Sequence, residues 1–128
     1  MSSELKIRIG FGLGTRSQIR DPRDLADLAE NLEQLNFDSI WFSERVAGSS
    51  LDPLVLMSWI AGRTQKLKFG PSIMVLPGRN PVILAKSLAS LDVISQGRLL
   101  PAFGLGAADT AEHQAFGVER QDLSLIHI

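Results

Sequence analysis

The chain has 128 residues, 13 basic and 14 acidic side chains, a formal net charge of -1 and 45% apolar residues, which fits one globular unit. With no cysteine, disulfides, zinc–thiolate sites and thiol nucleophiles are excluded, and His113 and His127 are too few and too far apart for a histidine-based metal centre, so no metal is expected. The balanced charge argues against a nucleic-acid partner, and the longest apolar stretch, from Leu54 to Ala61, is far short of the roughly 20 residues of a membrane helix; the cytoplasm is the expected compartment.

In chain order, Leu5, Ile7, Ile9 and Phe11 alternate with Lys6, Arg8 and Gly10, the period of a strand. Asp21-Pro22 then opens a helix. Proline suits the first helical position, and the Asp carboxylate accepts from a free amide of the first turn, worth about 1 kcal/mol. Leu25, Leu28, Leu32 and Leu35 give this helix one apolar stripe. A second strand runs from Asp38 to Ser43, and Asp52-Pro53 opens a second helix in which Met57 and Trp59 read as packing residues. The third strand is predicted from Leu67 to Leu76. A third helix opens at Asn80-Pro81, carries Ile83, Leu84, Leu88, Leu91 and Ile94, and stops near Gln96-Gly97. A fourth strand is predicted from Arg98 to Leu105, and Asp109 followed by Glu112 has the spacing of a capping box.

The four helix starts are 31, 28 and 29 residues apart, so one strand–helix unit recurs four times without an internal linker. Parallel strands with right-handed crossovers follow. Two architectures remain open: a small doubly wound sheet, or half of an eightfold (β/α) barrel, whose full form takes about 250 residues. In either, function sits where strands end and helices begin, here residues 12–16, 43–48, 76–80 and 104–109.

Gly10, Gly12 and Gly14 lack the third glycine of a dinucleotide fingerprint, since position 17 is Ser17, and no Walker-type sequence occurs. Glu44 and Arg45 close the second strand, where they can meet a polar ligand edge or pair with each other. Arg79, beside the free amides of a helix start, is a candidate phosphate or substrate contact, as are Arg45 and Asp109. Asp109 also reads as a helix cap. The small residues Gly104, Gly106 and Ala107 leave room for a flat ring or a phosphate against the backbone.

The run from Gly70 to Lys86 (GPSIMVLPGRNPVILAK), continuing to Leu91-Asp92 and Gly97-Arg98-Leu99, resembles the luciferase-like monooxygenase superfamily. Phe37 to Trp41 and Ala115 to Val118 fit it too. Gly12 to Arg16, Ser43-Glu44-Arg45 and Pro101 to Gly106 resemble its branch of coenzyme F-420 (deazaflavin) dependent oxidoreductases. The resemblance covers residues 5 to about 120 and implies the first half, about four βα units, of a (β/α)8 TIM barrel. It implies a ring cofactor at the mouth: F-420, with FMN as the alternative. Glu44 then falls near the ring's polar edge, Ser72-Ile73 where relatives carry a non-prolyl cis peptide against the ring, and Gly106 and Ala107 at the strand-four contact.

The implied activity is hydride transfer between F-420 and a small organic substrate. An FMN-dependent monooxygenase is the alternative, and an inactive truncated cofactor-binding fragment is the reading of another class. A sugar-phosphate dehydrogenase branch places a catalytic His directly after the strand-two acid; here that residue is Arg45, so no catalytic residue is assigned. Residues 121–128 do not resemble the family's continuation and read as a non-native tail on a truncated gene model. A half-barrel with open edges is expected to associate, as a homodimer or less specifically.

Overall fold

The computed structural model describes residues 7–127, with side chains described to Leu123; Leu5 and Lys6 of the predicted first strand lie outside the described residues. Strand β1 is Gly10–Leu13, later than the alternation predicts. Ile7 and Ile9 are exposed because the ladder starts only where Gly10 meets Ser39. Upstream the chain is tied by Asp38, whose carboxylate accepts from Ile9 N–H at 2.9 Å and whose own N–H donates to the Ile9 carbonyl at 2.8 Å. Phe11 and Leu13 pack on the core.

Helix α1 (Pro22–Gln34) has Asp21 as its cap and buries Leu25, Ala26, Ala29 and Leu32. Leu35 is the C-cap and stands exposed, since Asn36 leaves the helix at φ 60°. Strand β2 (Ser39–Phe42) follows, then α2 (Pro53–Ala61), whose Asp52 cap accepts from Leu54 and Val55. Met57 is fully buried as expected. Trp59 is not: it lies at the surface, 41% exposed, with the Arg63 guanidinium 5.0 Å from its ring centre. Met57 and Trp59 are two residues apart, so a helix turns them about 200° from each other.

The predicted third strand is divided into β3 (Lys68–Pro71) and β4 (Met74–Val75), with a cis peptide between Ser72 and Ile73. Helix α3 (Pro81–Ile94), capped by Asn80, buries Leu84 and Leu91; Ile83 and Ile94 of the predicted stripe flank this seam and are exposed. Gln96 (φ 58°) and Gly97 (φ 75°) end it in the left-handed region, as glycine there suggested. The fourth strand is likewise interrupted. Leu99 bridges to Phe69, Pro101 has no N–H to donate, and pairing resumes only in β5 (Phe103–Gly104). Helix α4 (Thr110–Phe116) starts at Asp109, and residues Arg120–His127 form a 3-10 helix.

Strands β1, β2 and β3 pair in parallel in chain order, and β4 pairs in parallel with β5. A doubly wound sheet reverses direction about its first strand. Here each strand is added to the same side of its predecessor, the sequence of a barrel wall, although the described strands do not close. Ile40, Phe42 and Phe69 from the sheet and Met57 and Ile60 from α2 form the centre of the core. Each such side chain contributes about 1.5–3 kcal/mol on burial. Among the described residues no helix is long and apolar enough to cross a membrane.

Arg98 closes the core at the N-terminal ends of the strands. Its guanidinium donates to the carbonyls of Ala61 (2.8 Å), Ser95 (2.8 Å) and Leu67 (3.2 Å) and to Thr64 Oγ1 (2.7 Å), and lies over the Phe69 ring. Burial lowers its pKa, opposed by the charge of Glu33. Thus Arg98 ties the C-terminal ends of α2 and α3 to β3.

Candidate functional site

At the opposite, C-terminal ends of the strands the loops after β2, β4 and β5 come together. Glu44 leaves β2 with its side chain only 1% exposed. One carboxylate oxygen accepts from Val75 N–H at 2.6 Å, and the other is paired with the Arg79 guanidinium. Burial raises its pKa above the ordinary glutamate value; the Val75 amide and Arg79 oppose this without cancelling it, while Asp52 and Glu112 add to it. Arg79 also donates from Nε to the Val75 carbonyl at 2.7 Å and lies 5.3 Å from the centre of the Phe116 ring. Glu44 and Arg79, 35 residues apart, therefore lock the end of β4 from both its amide and its carbonyl side.

Arg45, next in sequence, points elsewhere. It pairs with Asp109 and lies with Nε 3.7 Å from Glu112. Asp109 also caps α4 through Ala111 N–H at 2.9 Å. The three candidate phosphate contacts are thus arranged as two ion pairs: Arg45 with Asp109, and Arg79 with Glu44. Glu44 and Arg45 do not pair with each other.

The wall between these pairs is built by Ile73 and β5. A Cβ on Gly104 would stand 2.7 Å from Ile73 Cδ1, and one on Gly106 (φ 87°) would stand 3.1 Å from both Val75 methyls. The bare backbone at Gly104 and Gly106 thus lets the Ile73 and Val75 side chains lie directly against the fourth strand, and the φ of Gly106 itself favours glycine. Ser72, exposed, donates its N–H to the Phe42 carbonyl at 2.7 Å; Ala107, also exposed, accepts from Asp109 N–H at 2.8 Å. The cis bond that the resemblance implied at Ser72-Ile73 is present. Five candidate positions, Glu44, Ser72, Ile73, Gly106 and Ala107, so belong to one set of neighbouring strand ends. Glu44 differs from the other four in facing inward to Arg79.

Gly10 of β1 and Gly70 of β3 make room for the Trp41 side chain. The Trp41 indole donates to Ser39 Oγ at 2.9 Å. A Cβ on Gly10 would stand 2.9 Å from its Nε1, and one on Gly70 would stand 2.8 Å from Cζ3. The indole is flanked by bare backbone on both neighbouring strands.

Sequence reasoning missed Glu112 as anything beyond a cap. It is buried, and its carboxylate accepts from Ala47 N–H at 2.7 Å and Val46 N–H at 3.1 Å. The capping box is not formed, because Asp109 N–H turns back to Ala107. An acid at the third helical position was the available signal, but it pointed to the local partner rather than one 65 residues away.

Comparison with known proteins agrees with this α/β fold. The family model described as luciferase-like monooxygenase matches residues 3–123. An F420-dependent glucose-6-phosphate dehydrogenase of Kineococcus radiotolerans is 31% identical over 104 residues, which is 76% of this chain and 30% of that protein. A limonene 1,2-monooxygenase of Rhodococcus erythropolis is 34% identical over 89 residues, 67% of this chain and 22% of that protein. Among solved structures, the monooxygenase RslO1 from Streptomyces bottropensis superposes with a TM-score of 0.78 at 26% identity, covering 91% of this chain and 39% of that one. The chain thus spans about a third or less of the curated relatives it matches.

Proposed function

The chain belongs to the luciferase-like monooxygenase family, and from that premise we propose that it forms the first four βα units of an eightfold barrel. Its strand ends would hold a deazaflavin, coenzyme F-420, for hydride exchange with a small organic substrate. The observation that carries the reading is the wall of Ile73 and Val75 closed on Gly104 and Gly106, where missing Cβ atoms bring backbone and aliphatic side chains into one surface. A flat ring laid there would meet Ile73 and the bare backbone of Gly104 and Gly106, with Val75 buried. A relative named as an F420-dependent dehydrogenase supports the choice of cofactor.

Ile73, Ser72, Gly106 and Ala107 are the positions that would touch the ring. When bound, the cofactor supplies the redox chemistry, accepting or giving a hydride. The chain's part is to bind and orient. Glu44, with both oxygens engaged, acts through Arg79 and the β4 backbone by keeping Val75 and Ile73 in place. Arg45 and Asp109 border the same mouth and are the nearest candidates for substrate contacts. Arginine cannot accept a proton at neutral pH, so Arg45 takes no base role.

The limonene 1,2-monooxygenase relative favours a second reading, a monooxygenase built on the same wall, for which FMN is the ring cofactor that the family resemblance offers. Separate titrations with oxidised F-420 and FMN decide between them. Tighter F-420 binding is expected, and preferential FMN binding reverses the order. An intact ring complex without turnover across a panel of reductants and substrates instead favours a binding fragment.

A further inference from the structure

Helix α4 contacts both loops that carry the buried Glu44–Arg79 pair. At its start, Glu112 accepts from the amides of Val46 and Ala47, while Asp109 is paired with Arg45. At its end, the Phe116 carbonyl lies so close to Gly78 that a Cβ there would stand 2.2 Å from it, and the Phe116 ring lies beneath Arg79. Within the loop after β2 itself, Gly48 N–H and Ser50 Oγ donate to the Arg45 carbonyl at 3.3 and 3.4 Å, and Val46, Ala47 and Gly48 are all exposed.

We propose that Glu112 is a positioning residue for the ring site, acting through the loop of Arg45, Val46 and Ala47 rather than by touching a ligand. Two amides and a guanidinium face one buried carboxylate, an arrangement that a neutral side chain meets only in part. With the Glu112 carboxylate on the Val46 and Ala47 amides, the backbone directly after Glu44 is fixed and Glu44 is held on Val75 and Arg79. Without that carboxylate the loop loses its anchor, Arg45 keeps only Asp109, and the strand-end wall loosens. The inference rests on the reading of these strand ends as a ring site.

Glu33 provides a matched control. Its carboxylate accepts from the N–H groups of Gln65 (2.9 Å) and Leu67 (2.7 Å) and from Lys66, the same kind of helix-to-loop clamp, at the opposite ends of the strands. A purely structural loss should therefore look alike in Glu33→Gln and Glu112→Gln.

The test titrates F-420 and FMN, separately, into wild-type protein and both variants, with urea midpoints and amide NMR spectra recorded on each. Both variants are expected to lose stability, but only Glu112→Gln should shift the Val46 and Ala47 amides and weaken ring binding, by about tenfold for one charged hydrogen-bond set. Equal affinity losses in the two variants, or none in Glu112→Gln, overturn the proposal. If Glu112→Gln does not fold, Glu112→Asp takes its place, since it keeps the charge and withdraws the carboxylate from the Val46 and Ala47 amides. A weakening of about threefold is then expected, and unchanged affinity overturns the proposal. A folded wild-type protein that binds neither ring overturns the ring-site reading itself, an outcome separate from the variant comparison.

Discussion

Two glutamates in this chain carry opposite pH signatures, and each can be isolated by one substitution. At Glu33, burial alone would raise the carboxyl pKa, but the Lys66, Leu67 and Gln65 amides and the charge of Arg98 together bring it below the ordinary value of 4.5. Its contribution to stability is therefore complete above that value and is lost as pH falls through the lower folded one. Glu44 is the reverse: burial raises it, so its ionisation costs more in the folded chain than in the unfolded one. Stability tied to Glu44 is greatest below the ordinary value and declines as pH rises through the raised folded one. Urea midpoints from about pH 3 to about pH 8 check both. Glu33→Gln should lose about 1–2 kcal/mol at neutral pH, with the gap to wild type closing toward acid. Glu44→Gln should remove the decline with rising pH, and a wild-type slope retained in that variant contradicts the assigned direction.

At the scale of elements, what was legible in the sequence were features with a local partner. Asp21, Asp52, Asn80 and Asp109 all cap helices, because a cap bonds amides two or three residues away and so leaves its mark in spacing. The strands were harder. Their order was readable but their ends were not, since pairing begins and stops with a neighbour about 30 residues distant: β1 starts where Ser39 arrives, and the third and fourth strands are each interrupted. The site divides the same way. The small residues Gly104, Gly106 and Ala107 were visible as open backbone, whereas the exchange of partners among Glu44, Arg45, Arg79 and Asp109 depends on loops meeting across the mouth. Beyond their hydrogen bonds, the third and fourth strands meet in one close approach: a Cβ at Gly70 would stand 2.1 Å from the Leu100 carbonyl oxygen. Neither atom is the end of a flexible side chain. Gly70→Ala should therefore cost about 3 kcal/mol, measured by urea unfolding, while Gly12→Ala, where a Cβ meets nothing within 4 Å, should cost less than about 1 kcal/mol.

At the scale of the molecule, the 128-residue chain presents apolar surface of two kinds. Val82, Ile83, Val93 and Ile94 of α3 are each at least two-thirds exposed, Val82 and Val93 opposite the buried Leu84–Leu91 seam and Ile83 and Ile94 beside it. The second kind is at the edges of the strand set, where β1 and β5 each have one unpaired side in the described residues and Ile9 and Phe103 are about half exposed. Apolar side chains beside unpaired backbone donors and acceptors favour the addition of another strand, from this chain's own kind or any other, and the α3 face adds a second adhesive surface. The two predict different behaviour. Edge pairing runs through the backbone of β1 and β5 and so persists when only α3 side chains are changed, whereas association through α3 should respond to charge placed on that helix. Sedimentation of the chain should show association increasing with concentration. Val82→Lys with Val93→Lys should shift it toward monomer if the helix face dominates and leave it unchanged if the strand edges do. A wild-type chain that sediments as a single monomeric species at high concentration contradicts both routes.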